Sequence, residues 1–216
     1  MVLLRRYHPT ADLEYLSGGK TMKHLIVALA LAALVACGQG NIESAEGLTQ
    51  SAQEILNDGG RDLFDPEAFA LLERAVESDP NYLPARQERL HLYLAKRRLS
   101  EAVEEAREIS RIQGDIPEAL LMFCMLEDLH HGGARDGDTC YKKVAASIES
   151  RTEAPESDLN YLLALKLSDS PVFQSAAEAH IRGLEREDVR SLNTQLLYEL
   201  DRTELLEMYF PGTDPK

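Results

Sequence analysis

From residue 45 onward, apolar residues return every three or four positions, the spacing that lines up one face of an α-helix. Ala45, Leu48, Ala52, Ile55 and Leu56 make the first stripe, and Asn57-Asp58-Gly59-Gly60 stops it. Asp65 then stands as an N-cap with Pro66 at the first helical position, followed by Phe69, Leu72, Ala75 and Val76 and a break at Asp79-Pro80-Asn81. Two helices joined by a short loop form a hairpin, and the pattern restarts. Pro84 opens a third helix with Leu90, Tyr93 and Leu94 on one face. Ser100 is expected to cap a fourth helix carrying Ala102, Val103, Ala106 and Ile109, which Gln113-Gly114-Asp115 closes. Pro117 opens the next helix 33 residues after Pro84. A compact bundle has no reason to repeat its breaks at a fixed interval, whereas a stack of helical hairpins does.

The residues at the repeat boundary carry a resemblance. Ala75-Val76-Glu77-Ser78-Asp79-Pro80-Asn81-Tyr82 resembles the end of a tetratricopeptide repeat, in which a small residue packs between helices and a proline five residues later starts the next unit. Ala68 fits the other small position of that helix, and Leu90, Tyr93 and Ala102 stand at the family's spacing in the next unit. The third unit, 116–148, departs from the pattern with the long turn Gly132-Gly133-Ala134-Arg135-Asp136-Gly137, although Tyr141-Lys142-Lys143-Val144 resembles a tetratricopeptide or Sel1-like second helix. The resemblance covers roughly residues 49–148. Beyond it, periodicity alone predicts a hairpin from 158–167 and 171–184, and a closing pair from 188–200 and 203–209. The expected fold is all-α, stacked antiparallel hairpins forming a tetratricopeptide-like α-solenoid over 44–210, with 211–216 as a tail.

The remaining apolar segment has a different character. Residues 25–36 are twelve uncharged apolar positions, short of the roughly 20 that a helix needs to span a bilayer. Lys23 precedes them, and the small residues Ala36 and Gly38 flank Cys37, giving the charged, apolar and small-residue parts of a secretory signal. Leu34-Val35-Ala36-Cys37 resembles a bacterial lipobox. The resemblance implies cleavage before Cys37 and diacylation of its thiol, so that 1–36 is a signal peptide and 37–43 a short lipidated tether. Met22-Lys23-His24 makes a compact basic start, so translation is expected to begin at Met22. The alternatives are an ordinary cysteine behind a secretory signal, or a buried core helix. Gly38, where an aspartate commonly causes inner-membrane retention in Gram-negative lipoproteins, implies a periplasm-facing anchor, at the outer membrane if the cell is Gram-negative.

Charge sharpens this picture. The 216 residues hold 23 Lys and Arg against 37 Asp and Glu, a net charge of −14. Removing the leader takes four basic and two acidic residues with it, which makes the mature chain more acidic still. Such a chain is not expected to bind nucleic acid or anionic headgroups, leaves attachment to the acyl group, and favours basic partners. Trp is absent and Leu and Ala dominate the apolar set, as helices require.

Candidate chemistry is sparse. The sequence contains no HExxH, CxxC, glycine-rich phosphate loop or GxSxG elbow, so no catalytic residue, metal or cofactor is expected and the chain is read as a non-enzyme. His130-His131 with Asp136, Asp138 and Cys140 is the one cluster that suggests a metal, but adjacent histidines on a helix diverge by about 100°, and capping of the helix C-terminus explains them more simply. Glu101, Glu104, Glu105 and Glu108 read as a solvated helix face, or as an acidic surface for a basic partner. Cys124 and Cys140 stand one in each helix of the third hairpin. They are either disulfide-bonded, which needs Cα atoms within about 7 Å, or two small buried apolar residues.

Tetratricopeptide-like arrays hold peptides or proteins on a concave face lined by their first helices. The resemblance places Arg86, Gln87, Arg89 and His91, with the helix beginning at Pro117, on that face. Two functions are compatible with a helical-repeat lipoprotein of this charge. One is an envelope adaptor or assembly factor binding another envelope protein or peptide. The other is an immunity protein neutralising a toxin delivered to the periplasm.

Overall fold

The computed structural model describes residues 44–58, 65–114, 116–132 and 137–212, with Gly137 and Asp138 described by backbone alone. The apolar run, Cys37 and the tether lie outside these residues, as do Asp115, Asp136 and the last four positions of the tail. Among the described residues there are ten α-helices and no strand.

Local chemistry sets most helix starts. Ser44 caps α1 (Ala45–Asn57) by accepting from the Gly47 N–H, and Asp65 caps α2 (Pro66–Ser78) by accepting from the amides of Glu67 and Ala68. Proline in the first turn opens α3 (Leu83–Ala95) and α5 (Pro117–His130), where its missing N–H costs nothing. Between them lies α4 (Leu99–Gln113), and α6 (Gly137–Glu149) completes the third hairpin. After a 3₁₀ turn at Pro155–Ser157, Asp158 caps α7 (Leu159–Leu167), followed by α8 (Phe173–Gly183). Next comes α9 (Glu187–Thr194), which runs into a π turn at Gln195–Glu199. Asp201 and Glu204 form a capping box on α10 (Arg202–Tyr209), each side chain holding the other's backbone N–H.

Each helix from α1 to α8 packs on its neighbours in sequence, and α1 also meets α3 and α5 meets α7, so the chain is an all-α array of stacked antiparallel hairpins. Small residues make the close approaches: Ala68, Ala75, Ala85, Ala102 and Ala106 are fully buried. The core has two parts. Ala45, Leu48, Ala52, Ala68, Leu72, Ala75 and Val76 form a cluster with Ala85 and Leu92 of α3, and a larger cluster runs from Leu90 to Phe210. Phe69 packs against both. Full burial of a side chain such as Leu72 contributes about 1.5–3 kcal/mol.

The first helices of the second, third and fourth hairpins turn by one device. Each is followed by a residue in the left-handed region, Arg97 (φ 55°), Gly132 (φ 62°) and Asp169 (φ 49°). The Arg98 N–H reaches back to Tyr93 O at 2.8 Å and the Ser170 N–H to Leu165 O at 2.9 Å, while the amides of Arg97, Gly132 and Asp169 bond to Leu94 O, Leu129 O and Lys166 O. The first and last of these are Schellman turns, which satisfy the last carbonyls of a helix. They correct two expected starts. Because the turn is completed at Arg98, α4 begins at Leu99, so Ser100 sits inside the first turn and Arg98 is an N-cap without a side-chain bond. Pro171 follows the Asp169 turn, and α8 begins at Phe173.

The C-terminal helix crosses the array. Leu205, Leu206 and Phe210 of this segment are buried in the larger core. The Arg202 guanidinium donates to Leu167 O at the end of α7 and to Asp128 near the end of α5. At the other end, a Cβ placed on Gly212 would stand 3.1 Å from Nη2 of Arg97, beyond the end of α3. α10 is therefore a strap over the ends of successive first helices.

Candidate functional site

The α3 residues expected on a partner-binding face divide between the interior and the surface. Arg86 is buried: its Nε donates to Pro80 O at 2.7 Å and its Nη1 to Glu105 Oε1 at 2.8 Å. Arg89 donates from Nε to Glu105 Oε2 at 2.9 Å, and its Nη2 contacts the same oxygen. Both arginines therefore clamp α3 to α4 across the second hairpin and do not form a docking face. The reason is Glu105, which is 4% exposed. A carboxylate out of water needs its charge matched and its lone pairs filled, and two guanidinia do both. This also corrects the reading of Glu105 as part of a solvated face.

Glu101, Glu104 and Glu108 do face outward, and each pairs with an arginine three positions away, Arg98, Arg107 and Arg111. Exposed pairs of this kind contribute about 0.3–0.5 kcal/mol each. Two of these arginines also lie over aromatic rings. The Arg98 guanidinium lies 4.9 Å from the Tyr93 centroid and 5.8 Å from that of Phe69, and Arg107 lies 5.4 Å from Phe123. Phe69 and Tyr93 meet edge to face at 5.5 Å, joining α2 to α3.

The other two α3 residues expected on that face are Gln87, half-buried, and His91, whose side chain is 62% exposed. His91 Nδ1 stands 3.9 Å from Glu88 Oε2, and Gln53 of α1 donates to Glu88 Oε1 at 2.7 Å. The imidazole, and to a lesser degree the amide, hold the Glu88 carboxyl below its ordinary pKa against the opposing effect of burial.

Cys124 and Cys140 are joined by a disulfide with Cα atoms 5.7 Å apart, linking α5 to α6. Cys140 is therefore not a thiolate that could ligate a metal. His130 and His131 stack edge to face at 5.0 Å at the exposed end of α5, where His131 is the C-cap. Among the described residues no three His, Cys, Asp or Glu side chains converge as metal ligands, and Asp136 and the Asp138 side chain are outside them.

One turn beyond the disulfide lies a buried network that the sequence reading missed. Asp128 Oδ2 accepts from the Tyr141 hydroxyl at 3.0 Å and from Arg202 Nε at 2.9 Å. Arg202 Nη2 lies 2.8 Å from the same oxygen, off the line of a hydrogen bond, and Asp128 Oδ1 is buried without a partner. Burial, and then the Asp128 charge, push the Tyr141 phenol far above its ordinary pKa. The sequence signal was present: Asp128 is the one acid on a helix face otherwise made of Leu121, Cys124, Met125 and Leu129. Nearby, Lys166 donates to the Leu197 carbonyl within the π turn at 2.7 Å and to the Leu200 carbonyl just after it at 2.6 Å, and burial lowers its pKa. His180 stands between two oxygens, with Nδ1 3.0 Å from Glu156 O and Nε2 3.1 Å from Asn193 Oδ1.

Gln174, Glu178, Ile181, Arg182, Thr194 and Tyr198 line a groove of about 310 Å³, and Lys143, Ala146, Ser147, Ser150 and Arg151 line another of about 360 Å³. Val172, Leu192, Tyr198, Met208 and Tyr209 expose apolar surface in the last two-fifths of the array. No described helix is long and apolar enough to cross a membrane. No protein-family model, curated protein or solved structure matches the chain.

Proposed function

We propose that the protein is a lipid-anchored, periplasm-facing adaptor that holds another envelope protein or peptide near the membrane, on a tetratricopeptide-like array. The observation that carries this reading is Leu34-Val35-Ala36-Cys37 at the end of a twelve-residue apolar run, only seven residues before the first helix. A helical-hairpin array supports it, because stacked hairpins present an extended surface suited to protein contact. Charge favours a basic partner: Arg98, Arg107, Arg111, Arg182, Arg186 and Arg190 are each paired on this chain, so the acidic surplus faces outward. Gln87 and His91 are residues of α3 that stay open to such a partner.

The test is acyl labelling and fractionation of the full chain beside a Cys37→Ala variant, followed by crosslinking and identification of what the anchored protein holds. The expected result is label and membrane retention that depend on Cys37, with a specific envelope protein captured by the wild type. Labelling or retention unchanged in Cys37→Ala overturns the anchor, and capture of chance proteins alone overturns the adaptor. Capture of a basic toxin, with sensitivity to it on deletion, selects the immunity reading instead.

A further inference from the structure

The disulfide and the C-terminal strap are adjacent parts of one structure. Cys124 is one helical turn before Asp128 on α5, and Cys140 is next to Tyr141 on α6. The covalent bond therefore fixes the register of the two helices one turn from the place where Tyr141 must meet Asp128. Asp128 in turn is the anchor of Arg202, whose Nη1 donates to Leu167 O and whose guanidinium lies 5.7 Å from the Tyr141 centroid. Arg202 is the first residue of α10. Six residues separate α5 from α6, twice the three between α3 and α4, and the disulfide ties the two helices together across that interval.

We propose that the Cys124–Cys140 disulfide is a redox latch on the α10 strap: oxidised, it holds Tyr141 and Asp128 in the arrangement that docks Arg202, and reduced, it releases the strap. Release would lift Leu205, Leu206 and Phe210 from the ends of the first helices and open apolar surface there. The reductant is a dithiol. Its thiolate attacks the sulfur of Cys140, the less buried of the two residues, and forms a mixed disulfide. The bond to Cys124 breaks, and that sulfur leaves as a thiolate and takes up a proton. The second thiol of the reductant then displaces Cys140, so two electrons pass to the cysteine pair and the reductant ends as a disulfide. The inference stands apart from the anchor and adaptor readings, since it concerns contacts within the array alone.

Amide hydrogen exchange on the full chain tests it, with the bond intact, after treatment with dithiothreitol, and after reoxidation. Exchange in 202–210 is expected to rise by about tenfold or more on reduction and to return on reoxidation, while α1 to α4 keep their protection. A Cys124→Ser/Cys140→Ser variant should match the reduced protein. Arg202→Ala, with the disulfide intact, should loosen the same peptides. Unchanged exchange in 202–210 on reduction overturns the latch. So does a parallel loss of protection along the whole chain, which would make the bond a support of the entire fold, and so does full protection of the strap in Arg202→Ala.

Discussion

Glu105 shows how much one side chain can decide. It lies on α4 among carboxylates that face water, yet it is buried and holds two arginines of α3. Replacing it by glutamine keeps the shape and removes the charge that balances Arg86 and Arg89. Glu105→Gln is expected to lower stability by about 3–5 kcal/mol in urea denaturation, the usual cost of leaving a buried charge without its partner. His91→Ala, a change on the exposed side of the neighbouring helix, should stay within about 0.5 kcal/mol. The contrast separates the structural half of the α3 quartet from the half that a partner can reach. Spacing could not make that distinction. Glu101, Glu104, Glu105 and Glu108 fall on one broad arc of a helix, and which edge of the arc meets α3 depends on how the hairpin closes.

Among the helices, the limits were most legible where backbone chemistry is strict. Asp65 caps a helix, and Pro66, Pro84 and Pro117 occupy first turns. Where the device tolerates many residues, the sequence was silent. The two Schellman turns place Arg97 and Asp169, not glycine, in the left-handed region, so neither carries a composition signal. The π turn at Gln195–Glu199 likewise follows an ordinary helical pattern, and tertiary bonds from Lys166 hold one carbonyl within it and one just after it. Small residues between helices were readable from the spacing of the repeat. Ala75 has no room around it, and Ala75→Leu is expected to cost about 1–3 kcal/mol by overpacking, seen as a lowered urea midpoint, while far-ultraviolet dichroism still reports a helical chain.

For the whole molecule, burial couples the fold to alkaline pH. All six described tyrosines, Tyr82, Tyr93, Tyr141, Tyr161, Tyr198 and Tyr209, have phenols raised above their ordinary value, in each case chiefly by burial. For Tyr161, burial and a 2.8 Å bond to Glu149 push the phenol from 10 to about 12. The unfolded chain therefore gives up phenolic protons that the folded chain retains, so stability falls as pH rises from 10 towards about 12. Phenolate absorbance should lag behind that of free tyrosine and then rise together with the loss of helical dichroism. Independent titration of every tyrosine near its ordinary value, with helix intact, would contradict the burial.

The division of the core at Phe69 has a mechanical consequence. The first hairpin is held by its own small cluster and reaches the rest through α3, whereas the strap binds the later hairpins to one another. Under a pulling force entering at residue 44, that small cluster is the weaker of the two links in series and gives way before the strapped hairpins. The N-terminal pair would then yield as a separate step, a sacrificial link ahead of the strapped hairpins.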